Sequence, residues 1–203
     1  MRRSSRLCLF LLSITYIPGF LFAQRGAVAA PRSLDVLVER SETIVQGHVV
    51  RARVEPHPQF SNLQTLVVEL SVDKVLKGSG GKTLTFRQYI WDVRDRYDNA
   101  GYAKGQELLL LLNPTTEYGL TSPSGMEQGR FHIIRQANGR VLAVNGTQNA
   151  GLFSGVAQNA SRRGLKLSAR SLALDGRTVN GPLPLDDLEG FIRDWNTATA
   201  RAK

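Results

Sequence analysis

Leu63-Gln64-Thr65-Leu66-Val67-Val68-Glu69-Leu70-Ser71-Val72-Asp73-Lys74-Val75-Leu76 is followed by Lys77-Gly78-Ser79-Gly80-Gly81-Lys82 and then by Thr83-Leu84-Thr85-Phe86-Arg87-Gln88-Tyr89-Ile90-Trp91. In the first piece Leu66, Val68, Leu70 and Val72 alternate with Val67, Glu69, Ser71 and Asp73, the two-residue period of a strand with one buried face. The glycine-rich piece is a reversal, and Leu84 and Phe86 restore the inward alternation beyond it. The segment therefore predicts a long antiparallel hairpin.

Working outward, Ile44 to Val54 is rich in β-branched residues and reads as a strand, with Gly47 marking a bulge or a bend. Leu108 to Leu112 is five consecutive leucines, too short for an independent helix and closed by Asn113-Pro114, which fits a buried strand. Tyr118–Thr121, Arg130–Arg135 and Val141–Val144 extend the β pattern. Before the strands, Ser33 is placed to cap a short helix carrying Leu34, Leu37 and Val38, with Asp35 in its first turn. At the other end Leu185, Leu188, Phe191, Ile192 and Trp195 recur at helical spacing, an amphipathic helix. Six or seven strands, frequent turns and no βαβ alternation predict a mainly β protein: a small antiparallel OB-like barrel with a short N-terminal and a C-terminal helix. The expected boundaries are 30–144 for the barrel, 145–182 for a loosely structured Gly/Asn/Ser-rich segment, and 183–203 for the helix that packs on it.

Residues 1–29 read as an address. Arg2, Arg3 and Arg6 precede an apolar run from Leu7 to Phe22 that Ser13, Thr15, Pro18 and Gly19 interrupt. The run is too short and broken to span a bilayer, and it matches a secretory signal peptide with cleavage after Ala23 or Ala29. Cys8, the one cysteine of the chain, would leave with it, so the mature protein would carry neither thiol nor disulfide. The expected location is exported, periplasmic or secreted, with no transmembrane span in the mature chain.

Of 203 residues, 42% are hydrophobic and 21% charged, which excludes a wholly disordered, collagen-like or coiled-coil chain. Lys and Arg number 26 against 17 Asp and Glu, a net charge of +9. Loss of the three signal arginines lowers this to about +6, and the remaining basic residues are scattered. That disfavours nucleic acid and leaves an envelope protein or an anionic polymer as the expected partner.

A resemblance joins three of these stretches. Ser41-Glu42-Thr43-Ile44-Val45-Gln46-Gly47-His48-Val49-Val50, Val72-Asp73-Lys74-Val75-Leu76-Lys77-Gly78 and Lys104-Gly105-Gln106-Glu107-Leu108-Leu109-Leu110-Leu111-Leu112 follow one another in an order that resembles exported bacterial proteins. The core of those proteins is similar to the OB-like barrel of tissue inhibitors of metalloproteinases and netrin-type modules. The likeness covers roughly residues 33–135 and implies a fold rather than an activity. Inhibitors of that kind present a cysteine at the mature N-terminus to the protease's zinc, which this chain lacks.

The motifs that carry chemistry are weak. Gly81-Lys82-Thr83 matches the end of a phosphate-binding loop, but the earlier glycine is missing and a strand follows where the motif needs a helix. His48, His57 and His132 show no ligand spacing, and His48 and His132 read as exposed or hydrogen-bonded bystanders. Asp92, Asp95 and Asp98 lack the pattern of a calcium loop and alternate with Arg94 and Arg96. Gly151-Leu152-Phe153-Ser154-Gly155 is not a nucleophile elbow. No catalytic residue, metal site or cofactor is assigned. The expectation is a non-enzymatic exported binding or accessory module of the bacterial envelope, its contact surface on the irregular loop at Trp91, Arg94, Arg96 and Tyr97. The alternatives are a hydrolase whose site assembles only in the fold (Ser154, His132 and an Asp), or a structural part of an envelope assembly.

Overall fold

A computed structural model of the chain describes residues 30–90, 99–177 and 179–202. The expected signal segment and both cleavage positions lie outside these residues. The described chain is mainly β. Strands β1 (Thr43–Pro56), β2 (Gln64–Lys77), β3 (Thr83–Tyr89), β4 (Glu107–Leu112), β5 (Arg130–Arg135), β6 (Val141–Asn145) and β7 (Leu183–Pro184) are accompanied by helices α1 (Leu34–Arg40), α2 (Val156–Arg162), α3 (Ala169–Leu172) and α4 (Leu185–Arg201). One antiparallel sheet holds all seven strands in the order β3-β2-β1-β4-β5-β6-β7.

The sheet is apolar on both faces, which explains the uninterrupted leucines of β4. Leu108, Leu110 and Leu112 join Val45, Val49, Leu66, Val68, Leu70, Phe86 and Tyr102 on the inner face. Leu109 and Leu111 point the other way, against Ile44, Phe131, Ala143, α1 and α4. Helix α4 buries Leu188, Phe191, Ile192 and Trp195, the stripe its spacing predicts. Ser33 precedes α1 in extended geometry, but its hydroxyl makes no capping bond; the Leu34 N–H donates instead to the Leu152 carbonyl at 2.7 Å. Residues 145–182 fold over the same core, burying Leu152, Phe153, Val156, Leu165 and Leu174.

Gly47 lies at a break in the β1–β2 register. Gln46 pairs with Lys74 and Gly47 with Val72, so Asp73 is the extra residue of a bulge. A Cβ at Gly47 would sit 2.2 Å from the Ser71 carbonyl oxygen, so the strands approach there as only glycine allows.

Two expectations are corrected. The sheet does not close into a barrel: β5 pairs with β4 on one side and β6 on the other, leaving β3 as an edge. Facing β3 is the 113–123 loop, where Pro114 and Pro123 bring no N–H to a ladder. The loop forms one isolated bridge to β4, Leu112 with Pro123, and meets β3 through a bond from the Thr121 N–H to the Arg87 carbonyl at 2.8 Å. Tyr118–Thr121, expected as a strand, belongs to this loop, which reverses at Gly119 with φ +71°.

Candidate functional site

Trp91, Arg94, Arg96 and Tyr97 lie outside the described residues, as do Asp92, Asp95 and Asp98. Their flanks are firmly held. The chain re-enters the described structure through a 3-10 turn at Asn99–Gly101, where Arg130 Nη1 donates to the Ala100 carbonyl at 2.6 Å. The same guanidinium pairs with both Glu127 oxygens and lies 4.7 Å from the centre of the Tyr102 ring. Tyr102 donates to Gln88 of β3, and burial pushes its phenol up to about 12. Burial works against the Arg130 charge, yet Tyr102 and Glu127 hold its pKa above the ordinary value. The His132 imidazole is pushed down, first by burial and then by Arg130.

Between β3 and the 113–123 loop the unclosed sheet leaves a cleft of about 240 Å³, lined by Glu42, Val67, Phe86, Arg87, Leu112 and Thr121 among others. The Arg87 carbonyl points into it to meet Thr121. Alternation along a strand turns the N–H and C=O of Thr83 and Thr85 to that same side, away from β2. The opposite edge of the sheet differs: β7 is two residues long, ends in Pro184 and runs straight into α4.

His57 ties the end of β1 to the 113–123 loop. Its Nε2 meets the Tyr118 carbonyl at 2.8 Å and Nδ1 accepts from the Gln59 N–H at 3.1 Å, so the proton belongs on Nε2. The buried ring stacks on Phe60, which meets Tyr118 edge-on. Phe60 and Tyr118 are 42% and 49% exposed, an aromatic rim beside Gly119 of the cleft.

On the outer face, where β1, β2 and β4 emerge from beneath α4, polar groups gather. His48 sits directly opposite Glu107 in the β1–β4 register. His48 Nδ1 lies 2.8 Å from Asp73 Oδ2, and its Nε2 lies 3.9 Å from Glu107 Oε2. Arg135 donates to both Glu107 oxygens at 2.7 and 2.8 Å, and Gln46 adds a third bond. Burial opposes the Glu107 charge, but Arg135 and Gln46 keep its carboxyl below the ordinary range. Nearby, Lys74 and Arg193 neutralise the buried Glu189 of α4. Sequence spacing could not show this group, because its members meet only through strand register and the bulge at Asp73.

The assembled hydrolase finds no support in these contacts. Among the described residues none of the three histidines bonds to a hydroxyl: His132 Nδ1 pairs with Gln106, and the partners of His48 and His57 are those above. Ser154 is exposed in a turn. A larger hollow of about 560 Å³ beside Glu39 and Trp195 has its charge satisfied internally, since Glu39 accepts from Trp195 Nε1 and pairs with Arg163.

Comparison with models of known protein families and with curated proteins gives no match to this chain. No helix among the described residues is long and apolar enough to cross a membrane.

Proposed function

We propose that the chain is an exported, non-catalytic binding module of the bacterial envelope, and that its ligand is an extended segment of a partner protein laid along β3. One observation carries this reading: the seven-residue β3 edge opens onto a cleft that the 113–123 loop crosses with a single backbone bond. A peptide strand adding to such an edge gains main-chain hydrogen bonds, while the walls select its side chains. Here Phe86, Val67 and Leu112 supply apolar contact and Arg87 and Glu42 the polar marks. An anionic polymer fits less well, because Arg51, Arg53, Arg87, Arg135, Arg170 and Arg193 are already paired with carboxylates. The likeness to the OB-like core of metalloproteinase-inhibitor and netrin modules belongs to the same proposal and concerns only roughly residues 33–135.

A photo-crosslinking side chain in place of Thr85, with Asn138 in the β5–β6 turn as control, tests it in intact bacteria. The reading expects an adduct specific to position 85 that maps to one short segment of one partner, and its loss when Arg87 is also changed to Pro. Equal labelling from both positions, or none, refutes it.

A further inference from the structure

We propose, resting on the edge-strand reading of β3, that the segment it takes is cationic: one lysine or arginine of the partner lies in the cleft and pairs with Glu42, which selects it. Among the residues lining the cleft only Glu42 and Arg87 carry charge. Arg87 is committed within the fold, since its guanidinium donates to Glu55 Oε1 at 2.7 Å and to Thr65 Oγ1 at 2.5 Å. Glu42 is exposed, and among the described residues its carboxylate has one polar contact, a long bond from the Thr115 N–H at 3.4 Å. Elsewhere on the sheet the carboxylates have cations of their own: Glu55 has Arg53 and Arg87, Glu69 has Arg51 and Glu107 has Arg135. The net charge of the cleft lining, once Arg87 is neutralised by Glu55, is therefore negative, although the chain as a whole is basic.

Glu42 is held in place by the sheet. Its N–H donates to the Leu112 carbonyl at 2.9 Å, extending the β1–β4 ladder by one residue beyond the Thr43–Leu112 pair. Across the cleft β3 offers the N–H and C=O of Thr83 and Thr85 to an added strand. Val67, Leu84, Phe86 and Leu112 supply the apolar lining. The stem of a lysine or arginine packs on such a lining while its charged head seeks a carboxylate. Side chains alternate along a strand, so the basic residue has its same-face neighbours two positions away. At about 240 Å³ the cleft is smaller than the usual small-molecule site of about 300–1,000 Å³, and it suits one long side chain of a peptide. An acidic residue at the same position would face Glu42 with no free cation in the lining, so the site rejects as well as selects.

A phage-displayed library of random nonapeptides, panned on the purified full chain and on its Glu42→Arg and Thr85→Pro variants, provides the measurement. Glu42 is exposed, so its replacement spares the core. The Thr85 N–H faces away from β2, so proline there spares the sheet while blocking an added strand. The wild type should enrich peptides with Lys or Arg at one position, Glu42→Arg should enrich Asp or Glu there instead, and Thr85→Pro should enrich neither. A synthetic peptide of the wild-type consensus should bind Glu42→Gln about tenfold more weakly by calorimetry. Peptides enriched without a charged position, or the same consensus on the wild type and Glu42→Arg, overturn the pairing with Glu42 and leave strand addition at β3 intact. A basic consensus that Thr85→Pro retains overturns the strand placement, and no enrichment on the wild type overturns both.

Discussion

Replacing Gly47 with alanine tests the β1–β2 bulge on which the outer polar cluster depends. The added Cβ would lie 2.2 Å from the Ser71 carbonyl oxygen and 3.2 Å from the Val72 Cα. Both are backbone atoms of the neighbouring strand, so no side chain can swing aside; the strands must part or the bulge must move. Overpacking typically costs about 1–3 kcal/mol, and a clash with backbone belongs at the upper end, about 3 kcal/mol. For a chain of this size that lowers Tm by about 6–12 °C. Gly190, inside α4, is the internal control: a Cβ there meets nothing within 4 Å. Alanine at 190 removes only glycine's helix penalty and should add about 0.5–1 kcal/mol, raising Tm by about 1–4 °C. Differential scanning calorimetry of the two variants beside the wild type decides. If Gly47→Ala melts within about 2 °C of the wild type, the strands do not approach as described and the placing of Asp73 against His48 falls with them.

Lys74→Met should lower stability by about 1–2 kcal/mol in urea, because the buried Glu189 carboxylate keeps only Arg193 as a partner. Glu107 and Asp194 have carboxyls held below their ordinary 4.5 and 3.8. They release protons more readily folded than unfolded, so their stabilisation is complete above those values and is lost as pH falls through the lower folded ones. Urea midpoints measured down through pH 4 should therefore fall less steeply for Glu107→Gln than for the wild type. Alanine at Trp91, Arg94, Arg96 and Tyr97 together should abolish capture of the partner identified by crosslinking while leaving the melting temperature nearly unchanged; unchanged capture removes that loop from the contact surface.

Much of the sheet was legible because its signals are local. Alternation along Leu66–Val72, the β-branched run of β1, the leucines of β4 and the heptad-like stripe of α4 each report on neighbours a few residues away. Closure was misread because it depends on which strand β5 chooses, a question of partners far apart in the chain. Tyr118–Thr121 has strand-like composition, but Pro114, Gly119 and Pro123 around it turn the chain into a loop. Helices α2 and α3, of seven and four residues, are too brief to show a period. The His48 group was invisible for a different reason: a one-residue bulge decides which way Asp73 faces, and only Gly47 hinted that a bulge was there.

The two-sided burial of β4 also governs how the molecule comes apart. Leu108, Leu110 and Leu112 belong to one core and Leu109 and Leu111 to the other, so neither core can loosen without disturbing the strand they share. Opening on one side would strip solvent protection from the backbone that supports the second. The two cores should therefore melt as one cooperative unit, and the amides of Leu109 to Leu111 should exchange with deuterium only through global unfolding. The edge strand β3, by contrast, turns the amides of Thr83, Thr85 and Arg87 away from β2, and a bound peptide would register there first.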